Sequence, residues 1–317
     1  MPDELFQPFA AATTSIVLLE KGIPHSANKE TAFVRLQYDG LNLKKATRIK
    51  RLDGKNQIPD AVDAILNKKI TPDFSGTGKV SGVTEWSAGA YIPAAIPTDE
   101  DLKANIDELL CRLASFYSRY AREVNNQREK VKEGELSSRA FLDMITPQRL
   151  KNAKSLPHNK GTIGEFFDIY YGQKALHSRD GIPPGDSLII SPTGDYNGCY
   201  GWLFFEDLIK PPFVTVVQTG TIGEAFVQLE PCGVNDDCLI LLPKDPDLPL
   251  ACYFVAAAIL RSEKWRFSYG RKLTPSRIGD FPMNRMPSLE QWVANKFARW
   301  SAIMEQCVAL ESGMLAE

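Results

Sequence analysis

The chain has 317 residues, 44% hydrophobic and 24% charged, with a formal net charge of −2. That length supports about two domains with real cores, and the composition is that of an ordinary globular protein rather than a disordered or fibrous one. A balance so near neutrality excludes a uniformly basic polyanion binder, so any nucleic-acid contact must be a confined patch.

The apolar run 253–260 is far short of a bilayer span, and the opening M-P-D-E-L has no basic stretch leading into an apolar one. Together these predict a cytoplasmic protein with no membrane association. Cys111, Cys199, Cys232, Cys238, Cys252 and Cys307 include no C-x-x-C pair, and His25, His158 and His177 give no zinc-like spacing. The expectation is reduced, mostly buried thiols and no metal.

In chain order, residues 14–20 (T-S-I-V-L-L-E) and 32–38 (A-F-V-R-L-Q-Y) read as two strands of a hairpin, with a turn at Asp39 and Gly40. Two strands cannot bury both faces, so this pair needs a sheet to join. Residues 71–97 have little regular pattern. Residues 99–132 carry Leu102, Ile106, Leu109, Leu110, Leu113, Phe116, Tyr117, Tyr120 and Val124 at helical spacing, with Thr98 as N-cap and Gly134 as stop. That predicts one long helix with an adhesive face.

From about residue 162, short apolar runs alternate with turn residues: F-F-D-I-Y-Y, S-L-I-I-S, G-C-Y-G-W-L-F-F, F-V-T-V-V-Q and C-L-I-L-L-P. This spacing predicts a curved, irregular sheet rather than a βαβ wrap. Residues 249–262 then form an alanine-rich helix over the sheet. Residues 288–310 form another, with Ser288 as its cap and Leu289, Val293, Phe297, Trp300, Met304 and Cys307 on one side. The fold class expected is α+β, with a curved-sheet domain bracketed by long helices and preceded by a hairpin and helix.

Enzymatic signals are weak. The segment 76–82, G-T-G-K-V-S-G, has glycines at the wrong spacing for a dinucleotide loop, no apolar strand before it and no G-K-[ST] ending. Asp236 and Asp237, and Asp245 and Asp247, read as turn residues rather than metal ligands. No histidine sits in a nucleophile context. No catalytic residue is assigned.

The strongest binding signal is K-W-R-F-S-Y-G-R-K, 264–272, with four cations and three aromatic rings in nine residues. Between residues 261 and 285, seven Lys or Arg face Glu263 and Asp280, a local excess of five. Cations neutralise phosphates, and rings and guanidinium groups pack on sugars and bases. The competing reading puts Trp265, Phe267 and Tyr269 in a core with the cations solvated.

Residues 165–278 resemble a target recognition domain of the DNA specificity subunits of type I restriction-modification systems and their fused relatives. The resemblance is carried by T-I-G-E-F-F-D-I-Y-Y-G (162–172), S-P-T-G-D-Y-N-G-C-Y-G (191–201), V-T-V-V-Q-T-G-T-I-G-E-A-F (214–226), D-C-L-I-L-L-P (237–243) and F-S-Y-G-R-K-L-T-P-S-R-I (267–278), in that order. L-F-Q-P-F-A-A-A-T-T-S-I-V-L-L-E-K-G (5–22) and A-F-V-R-L-Q-Y-D-G (32–40) resemble the last strands of adenine-N6 DNA methyltransferases of the type I and fused type IIG kind. E-W-S-A-G-A-Y-I-P (85–93) and the helix after it resemble the connector to the specificity region. The family's glycine-rich S-adenosylmethionine motif and its [D/N]-P-P-[Y/F] tetrapeptide are not in this sequence.

The resemblance implies five segments: a methyltransferase remnant or docking segment at 1–70, a connector at 71–97, a helical spacer at 98–150, the recognition domain at 151–286 and a C-terminal spacer helix at 287–317. It implies a DNA-recognition component of a restriction-modification or adenine methyltransferase system, not an enzyme alone, with S-adenosylmethionine held by a partner modification subunit. The other partners implied are double-stranded DNA and, for a single recognition domain, a second copy in a homodimer. The contacts expected are Arg266, Tyr269, Arg271 and Lys272, then Tyr196 and Asn197 in one polar loop and Thr219 and Thr221 in another. Gly223 and Gly270 are expected to serve tight turns. Two alternatives stand beside this one: a split or truncated chain of an active methyltransferase, and an assembly or anti-restriction factor that does not bind DNA, which the pI near 6.0 favours.

Overall fold

The computed structural model describes residues 2, 5, 14–133 and 160–314, which fall into two compact units, Met1–Ala95 and Ile96–Glu317. Gly134 and His158 lie outside the described residues, as does most of 1–13.

In the first unit, residues 14–20 form no strand, and Ile16, Val17, Leu18 and Leu19 are all exposed. The expected hairpin with 32–38 is therefore corrected. Strand β1 (Glu30–Val34) pairs antiparallel with a later strand, β4 (Ser75–Lys79). Between them come the hairpin β2 (Leu41–Lys44) and β3 (Thr47–Lys50) and helix α1 (Ile58–Asn67). The Asp39 carboxylate takes both Arg48 Nη atoms at 2.7 and 2.9 Å, which fixes the entry to β2.

Strand β4 is hard to see in sequence because it reads S-G-T-G-K. Its glycines are required by Tyr91: a Cβ on Gly76 would lie 2.2 Å from the Tyr91 carbonyl oxygen, and one on Gly78 2.0 Å from its ring. The ring then stacks on Phe33 of β1 at 4.3 Å. The apparent phosphate loop is thus a strand thinned to admit an aromatic ring.

In the second unit, α2 (Asp99–Arg119) starts at a full capping box, Thr98 with Asp101, a device worth about 1 kcal/mol. The helix expected to run to 132 breaks at Tyr120 (φ −117, ψ 26), and α3 (Ala121–Glu133) follows. At the break, the Tyr120 ring packs on Trp202 and Tyr196 at 5.1 and 5.8 Å. The apolar stripe is buried as its spacing predicts, from Leu102 to Val124, except for half-buried Tyr120.

After the short helix α4 (Ile163–Phe166) come β5 (Phe167–Tyr171), β6 (Pro184–Ile190), β7 (Cys199–Leu203), β8 (Phe213–Val217), β9 (Ala225–Gln228), β10 (Cys232–Val234) and β11 (Cys238–Pro243). Four of them form an antiparallel sheet in the order β5-β11-β8-β9, and three form β10-β6-β7, in which β10 and β6 are parallel. The bridge Gln173–Asn235, just past the ends of β5 and β10, joins the two groups into one irregular layer, and Ile209, between β7 and β8, bridges to Cys232 of β10. Strand β8 is buried at every position because both its faces are covered.

Helix α5 (Leu250–Ser262), buried from Ala251 to Arg261, lies on β8 and β9 and against α2. The short α6 (Pro275–Gly279) and the long α7 (Pro287–Met314) complete the chain. Helix α7 begins at Pro287, so Ser288 is inside the first turn, and its Oγ bonds Asp99 Oδ2 at 2.9 Å. Lys296 then meets Asp107 at 3.1 Å, and Arg128 Nη1 meets Glu305 at 2.8 Å. Both series of numbers rise together, so α7 runs parallel to α2 and α3. The class is α+β, 37% helix and 23% strand.

Candidate nucleic-acid interface

Three segments distant in sequence meet at one end of the sheet layer. The first is the loop 191–198, closed by the Ser191 N–H on Gly198 O at 2.9 Å. Tyr196, Asn197 and Gly198 are all left-handed there (φ 45, 58 and 79). Asparagine tolerates that backbone, and here the side chain locks it. Asn197 Nδ2 donates to Val227 O at 3.0 Å and to Gln228 Oε1 at 3.1 Å, while Gln228 Nε2 returns a bond to Asn197 O at 3.1 Å. Asn197 is therefore interior, and it presents its neighbour Tyr196, 40% exposed, outward.

The second segment is the loop 218–223, anchored by Gln218 and Thr219 N–H groups on Asp237 O at 2.8 and 3.3 Å. A Cβ on Gly220 would lie 2.6 Å from Pro192 O, and one on Gly194 3.3 Å from Thr221, so the two loops touch. Thr221 is exposed; Thr219 Oγ1 is buried with no hydrogen-bond partner among the described residues. Gly223 (φ 85) lets this loop sit on the third segment, since a Cβ there would lie 2.4 Å from Lys264 Cβ.

The third segment is 264–272. Lys264 pairs with Glu224 at 2.9 Å, and Arg266, buried, pairs with Glu263 and stacks on Trp265 at 4.3 Å. These two of the four cations are neutralised within the unit. Phe267 is buried, whereas Tyr269, 74% exposed, stands at the tip of a turn closed by Ser268 and Arg271 at 3.0 and 3.1 Å. Arg271 lies 5.2 Å from the Phe267 ring centre, and Lys272 is exposed with no carboxylate partner among the described residues. Gly270 is not left-handed, and a Cβ there would meet only Ser268 Oγ at 3.9 Å, so the expected need for glycine is corrected.

Behind this end, Arg261 is buried between Glu224 and Glu108, and Arg112 shares Glu108 and donates to Gly194 O. Burial works against charge on Glu108, yet the Arg112 and Arg261 guanidiniums together hold its carboxyl below the ordinary range. The network ties α2, α5 and the two loops into one support.

His177 and the turn residues Asp236 and Asp237 bring ligand atoms within 4.8 Å of one another, but His177 is exposed and hydrogen-bonded to Asp236 at 2.9 Å. Among the arrangements that sequence reading missed are Arg112 on Gly194, Arg119 on Tyr196, Arg179 on Tyr200, and the Glu108–Glu224 support. Each joins residues that only the fold brings together.

No family model matches the sequence, and no curated protein matches it. Solved structures do resemble it. One is the S subunit of the type-I restriction-modification system from M. genitalium, at 15% identity and TM-score 0.34, covering 86% of this chain and 66% of that one. A second is a chain from the type I R-M system solved for its complex assembly and conformational transition, at 15% identity and TM-score 0.31, covering 69% and 56%. A third is the HsdS subunit from Thermoanaerobacter tengcongensis, at 14% identity and TM-score 0.29, covering 71% and 58%. The chain thus spans between 56% and 66% of the length of these proteins. Among the described residues, no helix is long and apolar enough to cross a membrane.

Proposed function

We propose that this chain recognises a specific sequence in double-stranded DNA and directs a catalytic modification subunit of a restriction-modification or adenine methyltransferase system. The observation that carries the reading is the meeting of loops 191–198 and 218–223 with the segment 264–272, where Gly223 sits on Lys264. These segments are the ones whose order in the sequence resembles a target recognition domain, and they carry exposed Tyr196, Thr221, Tyr269 and Lys272. Arginine reads guanine edges through a bidentate fork, while lysine more often meets phosphate. Arg271 is accordingly assigned to a base and Lys272 to the backbone. Arg266 and Asn197, both interior, shape the surface rather than touch DNA.

In this reading S-adenosylmethionine and the transfer chemistry belong to the partner. The segment 14–20 supports a docking role, because its apolar residues are exposed and it belongs to no sheet of its own unit. A single recognition unit then works either as a homodimer reading a two-part site or as part of a fused assembly, and light scattering with and without DNA distinguishes these.

Selection of duplexes from a randomised pool, with the protein and its modification subunit, is expected to enrich one motif. Absence of any enriched motif would refute the assignment. Against the selected duplex, Arg271→Ala should cost about 1–3 kcal/mol in a gel-shift titration, and an unchanged affinity would remove Arg271 from the site.

A further inference from the structure

Cations in the second unit are commonly matched to carboxylates: Arg112 to Glu108, Arg128 to Glu230 and Glu305, and Arg285 to Glu290. Arg119 and Arg179 differ. Neither has a carboxylate within ion-pair distance among the described residues, and each lies over a tyrosine instead. The Arg119 guanidinium is 4.5 Å from the Tyr196 ring centre, and its Nη1 lies 3.2 Å from the Tyr196 hydroxyl. The Arg179 guanidinium is 4.5 Å from the Tyr200 ring centre, and its Nε is buried with no hydrogen-bond partner among the described residues.

The two tyrosines are four residues apart and both partly exposed, at 40% and 47%. They flank the start of β7, the outer strand of the β10-β6-β7 sheet, which pairs with no second strand among the described residues. Tyr196 belongs to the loop that touches 218–223, so this edge is continuous with the recognition end. A guanidinium stacked on a ring keeps its in-plane N–H fork open, which suits a phosphate. Held back on a ring, it lacks the free reach that reading a base in the groove demands.

We infer that Arg119 and Arg179, braced on Tyr196 and Tyr200, grip DNA phosphates along the β7 edge, strengthening binding irrespective of sequence. The inference rests on the DNA-recognition reading above and adds a positioning surface to it.

The test uses the full chain in salt titrations of fluorescence anisotropy on two duplexes, one of mixed sequence and one carrying the selected motif. Arg119→Gln with Arg179→Gln is expected to make the slope of log affinity against log salt shallower by about 0.9 per arginine, equally on both duplexes. Arg119→Gln alone, at an exposed position, should give about half that change, which keeps the test intact if the double variant misfolds. Arg299→Gln, exposed on α7, should leave the slope unaltered. A wild-type slope in the double variant, while Arg271→Ala still weakens binding to the selected duplex, would overturn this inference and leave the recognition reading standing. Loss of discrimination with the slope unchanged would also overturn it, since the arginines would then be reading bases. A wild-type protein that binds neither duplex would remove both.

Discussion

Burial divides the six cysteines into two groups. Cys232 and Cys238 have no exposure, and burial pushes both thiols well above their usual range; it raises Cys199 to about 12 and Cys252 to about 11. The thiolate is the nucleophile, so these four should resist alkylation in the folded protein at pH 8, while exposed Cys111 and half-buried Cys307 react. Mass spectrometry after iodoacetamide is expected to show adducts on those two alone, and on all six in denaturant; rapid native labelling of Cys232 would contradict the structure. The same inside-outside division applies along 264–272. The sequence reading took Arg266 as a DNA contact, not as the partner of Glu263, and the pairing of Lys264 with Glu224 was out of its reach, because the carboxylate arrives forty residues earlier in the chain. The burial of Asn197 was equally invisible, since its partners Val227 and Gln228 come from β9.

Helices were the most legible elements, because a 3.6-residue apolar period marks the buried side whatever it packs against. The stripe of α2 lies where the periodicity puts it, and α5 lies where the alanine-rich run predicts a helix. The break at Tyr120 did not show, since it reflects the aromatic cluster with Trp202 and Tyr196, and β4 did not show, since its glycines answer to Tyr91. In the second unit β5, β6, β7, β8 and β11 stood out as short apolar runs, but β9 and β10 did not, nor did the strand order, as β11 sits between β5 and β8.

One junction between elements concentrates polar contacts. Glu230, 6% exposed, accepts from the Tyr117 hydroxyl at 2.7 Å on α2 and from Arg128 on α3, which also reaches Glu305 on α7. Burial, then the Glu230 charge, push the Tyr117 hydroxyl well above its usual range, so it remains the donor. Glu230→Ala leaves both partners short of an acceptor and should cost about 3 kcal/mol, whereas Tyr117→Phe should cost about 1 kcal/mol. Urea unfolding monitored by circular dichroism would check both, and equal small effects would show that the junction contributes little.

At the scale of the molecule, the chain divides at Ala95 into two units of unequal size. The larger one has its own sheet, a helix buried along its length and the paired α2 and α7. A protein spanning 96–317 is therefore expected to unfold cooperatively by itself, with near-UV circular dichroism retained; a fragment lacking that signal would show that the larger unit depends on the smaller.

The shared direction of α2 and α7 has an electrostatic consequence. Like ends of two peptide dipoles lie side by side, an arrangement that concentrates partial positive charge where Asp99 meets Ser288. Four carboxylates, Asp99, Glu100, Asp101 and Glu290, occupy the opening turns of the two helices and counter it. Arg285 holds Glu290 ionised below the ordinary glutamate range, so its stabilising share is complete above that range and disappears as acidity rises through its lowered value. Acid should therefore loosen the helix pair from this end first.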